Sequence, residues 1–411
     1  MNIFHYVDST DARLGGVPRF VLDASRVMAG TGHPSTVLTL DTKDTPPEYL
    51  ENHDGSSLPT VFKLPRPSLM GKLFGPGEMK IIRQQLQKAD VLHLHGVWSP
   101  TVFQIAKAAR QMRIPYVVSL HGMLDDWCMS QRNLKKRLFL ALGGKTLLEQ
   151  AARVHCTASA EVAQSHKWFP KGTATVIPCL MDLSAYRDLP GREPAAKKFA
   201  FLADSTTPTI LFLSRLHYKK GIEHLLRAAA ELKARGVKAQ FALAGNGDPE
   251  YVQSLKDLSQ QLALTDRVHF VGQVSGAEKV SLYQNATVFA LPTSQENFGL
   301  VLIEALACGT PIITTKGVDI WRDVQESGAA TIVDQNPSQL ADAIANVIGD
   351  APGRQIMSDK ARPWVFKTYA EERLISQYEE MYQTCAAMGR KRALEKRETR
   401  DLPALASARL A

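Results

Sequence analysis

Short apolar runs alternate with helical patterns along almost the whole chain. In the first half, runs at 3–7, 35–40, 61–64, 91–94, 116–120, 154–157 and 175–177 predict strands. Apolar residues at three- and four-residue spacing predict helices between them, at about 17–30, 77–88, 100–112, 131–151 and 160–168. The second half repeats the design, with strands near 209–214, 240–244, 268–271, 287–291, 311–314 and 330–333. Its helical patterns fall at 221–235, 250–263, 277–284, 298–308 and 337–349. Alternation of this kind predicts parallel sheets covered by helices on both faces. Two such series predict an α/β chain of two Rossmann-like domains facing each other across a cleft.

The break between the series lies at 183–208, where Pro190, Gly191, Pro194, Pro208 and the Lys197-Lys198 pair interrupt any periodicity. That segment reads as a linker. It separates an N-terminal domain, 1–182, from a C-terminal domain, 209–363. A last helix is expected over 364–387, where Trp364, Phe366, Tyr369, Leu374, Tyr378 and Tyr382 offer an apolar face for packing back on the N-terminal domain.

Composition narrows the class. With 411 residues, 45% hydrophobic and 22% charged, the chain reads as globular rather than disordered or disulfide-rich. Its uninterrupted apolar stretches, such as 300–303, fall far short of the ~18 residues of a membrane span. The opening MNIFHYVDST reads as a first strand and not as a secretory signal. Five cysteines form no CxxC and no metal spacing, so reduced thiols and a cytoplasmic location are expected.

A net charge of +8 admits nucleic acid, an anionic membrane or a phosphorylated substrate as partner. Residues 388–411 hold seven basic and three acidic side chains, +4 in all, in a tail expected to add little to the fold. A second cluster, Arg132-Asn133-Leu134-Lys135-Lys136-Arg137, opens the 131–151 pattern, in which Leu138, Leu142, Thr146 and Leu147 recur at helical spacing. This amphipathic segment is either a solvated helix face or a surface that rests on anionic headgroups. Neither cluster has the interleaved aromatics or helix-turn-helix spacing of a nucleic-acid binder, so no nucleic-acid partner is expected.

In open α/β sheets ligands sit beyond the carboxyl ends of the strands. Gly15-Gly16 follows the first strand and opens the first helix, letting a backbone approach a ligand and leaving helix amides for an anion. It is not a GxGxxG fingerprint, and Gly144-Lys145-Thr146 lacks the upstream glycine of a phosphate loop. Arg215 and Lys220 stand just after the strand at 209–214, where two cations can grip a diphosphate. Gly245 lies in another strand-end turn. The fullest pattern runs from Leu291 to Gly309: a strand end, a polar turn with Glu296, then Asn297, Phe298, Gly299 and Leu300 opening a helix. That helix is apolar on every side except at Glu304, so its carboxylate requires a hydrogen-bonding mate or a ligand.

At this point the chain resembles retaining GT-B glycosyltransferases of family 4, the glycosyl transferases group 1. The Arg215/Lys220 loop and the Glu296/Glu304 segment match that family's donor-site motifs in order and separation. The resemblance implies that the C-terminal domain holds a nucleotide-diphosphate sugar and the N-terminal domain a saccharide or lipid-linked acceptor. It further implies that Arg215 and Lys220 hold the diphosphate, Glu304 the ribose, and Glu296 the sugar with help from the 297–300 backbone. Gly15 and Gly16 match the first-loop glycines, and His121 matches a histidine at the sugar end of the cleft. The segment 121–127 is similar to enzymes of bacterial exopolysaccharide and lipopolysaccharide assembly. Two departures stand out: Pro178-Cys179-Leu180-Met181-Asp182 replaces the usual Pro-Asn-Gly-x-Asp, and Ser214 replaces a glycine. No DxD triplet is present, so metal independence and no cofactor beyond the donor are expected. Two other readings stay open: a non-hydrolysing nucleotide-sugar epimerase of the same architecture, and a non-enzymatic basic module binding membrane or nucleic acid.

Overall fold

The computed structural model describes residues 1–51, 57–204 and 206–407, with side chains as far as residue 389. The charges expected of the tail beyond that point lie outside the described side chains. The chain divides into two compact units: residues 1–181 with 371–411, and residues 182–370.

Unit one is built on seven parallel strands, β1 (Ile3–Tyr6), β2 (Ser35–Thr39), β3 (Thr60–Lys63), β4 (Val91–His95), β5 (Tyr116–Ser119), β6 (Arg153–Cys156) and β7 (Ala174–Val176). Their order is β3-β2-β1-β4-β5-β6-β7. The helices Gly16–Gly30, Pro76–Leu86 and Pro100–Gln111 turn apolar faces onto this sheet, burying Phe20, Val21, Met79, Ile82, Val102 and Ile105. Strands β1, β4 and β5 are buried along their whole length, as a parallel sheet covered on both sides requires.

Unit two has six parallel strands, β8 (Thr209–Leu213), β9 (Gln240–Ala244), β10 (Val268–Gly272), β11 (Val288–Leu291), β12 (Ile312–Thr315) and β13 (Ala330–Val333), ordered β10-β9-β8-β11-β12-β13. Both sheets therefore reverse direction of growth once, at β1/β4 and at β8/β11, which creates a crevice at the strand ends of each.

Three expectations are corrected. The segment 183–208 is not a free linker. Its helix Glu193–Lys198 docks on the helix Gly276–Asn285 through Ala195 N to Ser281 Oγ at 3.0 Å and Lys198 to Glu278 at 2.7 Å. Residues 364–368 end a helix, Ala351–Thr368, of unit two, while Glu371–Ser407 is a separate helix of unit one that continues through the supposed tail. The 131–151 pattern is broken into Asn133–Phe139, a wide turn at 140–144, and Lys145–Glu149. Gly143 makes the break: its φ of 150° suits glycine, and a Cβ there would meet the Phe103 ring at 3.0 Å.

The break redirects the apolar residues. Leu140, Leu147 and Leu148 go inward, whereas Leu134, Leu138 and Leu142 remain 84%, 57% and 79% exposed. Leu138 and Leu142 thus lie on the surface, not on a core face. In the departed hinge motif, Cys179, Leu180 and Met181 are all buried, which explains apolar residues there in place of Asn and Gly. No helix among the described residues is long and apolar enough to cross a membrane.

Candidate active site

Four loops meet at the carboxyl edge of the unit-two sheet, and backbone contacts lace them together. The β8 loop lies against the β9 loop through Leu216 N to Asn246 O at 2.8 Å and Ser214 N to Ala244 O at 3.1 Å. Gly245, at φ 130°, makes that approach possible, since a Cβ would stand 1.9 Å from the Ser214 carbonyl oxygen. The β8 loop also grips the β11 loop. The Lys219 carbonyl accepts bonds from Ser294 N at 2.8 Å and Thr293 Oγ1 at 3.0 Å, and Lys219 Nζ donates to Gln295 Oε1 at 3.0 Å. The β12 loop completes the set through Glu296 N to Gly317 O at 2.8 Å and Asp319 N to Glu296 O at 2.9 Å.

This lacing brings Lys220 and Glu296 into an ion pair, with the lysine buried and the carboxylate half-buried. Burial, helped by the cations of Lys219 and Arg215, pushes the Lys220 ammonium well below its ordinary value. Arg215 is exposed in the same loop and has no carboxylate partner among the described residues. Two helices begin here, Ile222–Ala234 and Leu300–Ala307, each after a glycine in the left-handed region, Gly221 and Gly299, with no side-chain cap. Their first-turn amides thus lack the usual side-chain acceptor and point a positive potential at this edge.

The remaining donor-site expectations divide. Asn297 is held by Asp319, Nδ2 to Oδ2 at 3.3 Å. Phe298 is buried edge-on against Tyr369 at 5.7 Å, so only its backbone can serve a ligand. Glu304 has two protein mates: Lys279 Nζ donates to Oε1 at 2.6 Å and Tyr283 Oη to Oε2 at 2.9 Å. Both partners come from the neighbouring helix Gly276–Asn285, and the single-chain pattern carried no signal for them.

In unit one, Gly15 has φ 111° and caps the helix Gly16–Gly30 without a side-chain acceptor, leaving that helix start open as expected of the paired glycines. His121 follows β5 in the left-handed region at φ 51°, beside Gly122 at φ 73°. The turn is held from beneath by buried Glu161, which accepts Gly122 N at 2.6 Å and Thr157 N at 2.7 Å. A non-glycine residue kept at such φ is over-determined by its surroundings, a common mark of a working site.

Sequence reasoning missed what stands behind His121. Strand register pairs His5 with His93, His95 with Ser119, and Ser119 with His155. Four buried histidines and the partly exposed His121 therefore form one layer, linked by His5 Nδ1 to His95 Nε2 at 3.0 Å, His95 Nδ1 to His121 Nε2 at 3.1 Å, and Ser119 Oγ to both His93 and His155 at 2.6 Å. Tyr382, from the last helix, reaches His93 Nδ1 at 2.8 Å. Burial pushes all five imidazoles down, His5 and His121 to about 3 and His155 to about 4. The one available signal was His93-x-His95, two polar residues on one face of an apolar strand. His5, His93 and His95 are close enough to share an ion, but both nitrogens of His93 and of His95 already have partners and the trio includes no carboxylate.

Known proteins resemble the chain along most of its length. Residues 195–364 match the family described as glycosyl transferases group 1, and residues 15–179 match the glycosyl transferase 4-like domain. An uncharacterized glycosyltransferase of Methanocaldococcus jannaschii is 27% identical, over 91% of this chain and 96% of its own. Among solved structures, sucrose-phosphate synthase from Thermosynechococcus elongatus superposes with a TM-score of 0.76 at 22% identity, covering 94% of this chain and 100% of that one. HepE of Anabaena, solved in complex with UDP-glucose, gives 0.75 at 20% identity, over 93% of this chain and 100% of its own.

Proposed function

The chain belongs to the group 1 glycosyl transferases of GT-B fold, and we propose that it moves a sugar, with retention, from a nucleotide-diphosphate sugar to a saccharide or lipid-linked saccharide. The observation that carries the donor is the edge of unit two. There Arg215, without a carboxylate partner among the described residues, the buried Lys220 and two uncapped helix starts converge beside the carboxylate of Glu296. This is the field a diphosphate needs, and HepE, of the same fold, was solved in complex with UDP-glucose.

In this reading the anomeric C–O bond to the phosphate breaks while the acceptor oxygen bonds to the same face. The acceptor proton passes to the departing phosphate oxygen, and Arg215, Lys220 and the helix amides stabilise the charge that develops there, without a metal or further cofactor. The arriving diphosphate competes with Glu296 for Lys220, which releases the carboxylate to a sugar hydroxyl. The backbone of 297–300 and the close turn at Gly245 shape the pocket, and Glu304, oriented by Lys279 and Tyr283, takes the ribose. The acceptor falls to unit one, with Gly15, Gly16 and His121.

The same reading puts the enzyme on an anionic membrane surface, assembling a bacterial surface saccharide. Its support is the exposed trio Leu134, Leu138 and Leu142 among exposed Arg132, Lys135 and Arg137, apolar wedge and basic flank together. A thermal-shift screen with UDP-, GDP- and ADP-sugars tests the donor. One of them is expected to raise Tm, and Lys220→Ala to abolish that rise. A shift that survives in Lys220→Ala and in Arg215→Ala overturns the site.

A further inference from the structure

Five neutral histidines in one layer pose a question of direction, because each imidazole contact needs one nitrogen with a proton and one without. For two of them the protein itself answers. His155 Nε2 faces the Ile177 carbonyl oxygen at 2.8 Å, so that nitrogen carries the proton. Tyr378 Oη, 3.2 Å from the same nitrogen, donates to the Pro178 carbonyl at 3.1 Å and leaves the choice unchanged. His155 Nδ1 then accepts from Ser119 Oγ, Ser119 accepts from His93 Nε2, and His93 Nδ1 accepts from Tyr382. Both are Nε2–H tautomers.

The second chain, His5–His95–His121, is anchored differently. Its inner end is His5 Nε2, fully buried and with no partner among the described residues. Its outer end is His121 Nδ1, on a partly exposed residue, with no hydrogen bond among the described residues. The protons have only two consistent arrangements. One ends in a buried N–H with no acceptor at His5. The other leaves only an unused lone pair there, the less costly defect.

We propose that His5 and His95 are positioning residues that lock His121 as its Nδ1–H tautomer, presenting an N–H donor to a hydroxyl oxygen of a saccharide ligand. His5 Nδ1–H donates to His95 Nε2, and His95 Nδ1–H donates to His121 Nε2. The turn at His121 and Gly122, tied to Glu161, holds the ring in line. A neutral donor suits a hydroxyl, whereas the cationic edge of unit two suits phosphate. The role in binding rests on the functional reading above; the tautomer does not.

The test is long-range ¹H–¹⁵N correlation on the full chain, labelled with ¹⁵N-histidine, at neutral pH and without ligand. The expected result is Nδ1–H for His5, His95 and His121 and Nε2–H for His93 and His155, assigned by single substitutions. Finding His121 as Nε2–H in the unaltered protein overturns the proposal. His95→Phe is expected to let His121 sample both tautomers and to lower kcat by on the order of tenfold, about one lost hydrogen bond. His95→Gln, with an amide that can accept from His5 and donate to His121, is expected to restore both. If His95→Phe mixes the tautomers and leaves kcat and KM unchanged, the positioning role is wrong. A protein that shows these tautomers and transfers no sugar overturns the functional reading instead.

Discussion

The carboxyl edges of the two sheets share a strand order and differ in what the sequence hangs on them. At β8/β11, Arg215, Lys219, Lys220 and Glu296 stand among uncapped helix starts, and the chemistry is ionic. At β1/β4 and β5, four buried neutral imidazoles, the partly exposed His121, Ser119 and two tyrosines form a polar layer with no charge in it. Ions concentrate field on a phosphate and tolerate water. Neutral donors in a dry layer impose direction, because every proton must have one address. One topology thus serves two recognition problems, and the side chains at the strand ends decide which.

Acid separates the two edges most strongly. His5, His93, His95 and His155 are buried and neutral when folded but titrate near 6.5 when unfolded, so below 6.5 the unfolded chain binds more protons. Their contribution is complete above pH 6.5 and is lost progressively as pH falls toward the folded values, about 4 for His155 and about 3 for His5. Each costs on the order of 1 kcal/mol between pH 7.5 and 5.5, roughly 5 kcal/mol for the four. Denaturant unfolding at the two pH values, with probes in each unit, is expected to show unit one weakening first; a pH-independent unit one would erase the contrast.

Chemistry separates them next. Glu296→Gln and Lys220→Ala are expected to lower kcat/KM for transfer by about 10²–10³-fold, the scale of a preorganised electrostatic contact. Donor turnover read against circular dichroism distinguishes this from unfolding. A smaller effect is expected from the lacing itself. Gly245→Ala forces a Cβ onto the Ser214 carbonyl at a strained φ and should cost about 1–3 kcal/mol, whereas Gly30→Ala, with nothing within 4 Å, should cost nothing measurable. Smallest on stability is the triple change of Leu134, Leu138 and Leu142 to Ser. It should shift unfolding by about 0.5 kcal/mol or less yet abolish sedimentation with phosphatidylglycerol vesicles. Retained sedimentation would remove the membrane from the account.

The ionic edge was largely legible in the sequence, and the histidine layer was not. Arg215, Lys220 and Glu296 lie just beyond strands of strong apolar pattern, so local order along the chain already places them at strand ends. The histidines come from β1, β4, the β5 loop and β6, and only register across four strands brings them together. Leu138 and Leu142 show the same limit from another side. Helical spacing predicts that they share a face but not whether that face meets the core, and Gly143 turned it outward. Glu304 was correctly read as wanting a partner, but the partners, Lys279 and Tyr283, belong to another helix.

By itself the sequence determined the two α/β series, the loops that bear chemistry and the family to which they belong. These follow from periodicity and from residues close in the chain, where a few covalent bonds hold the spacing. The tertiary structure alone decided that 183–208 docks as part of unit two, that Lys220 meets Glu296, and that His121 has a chain of imidazoles behind it. Each of those depends on contacts between segments distant in sequence, and such contacts exist only once burial and strand register have chosen which side chains face one another.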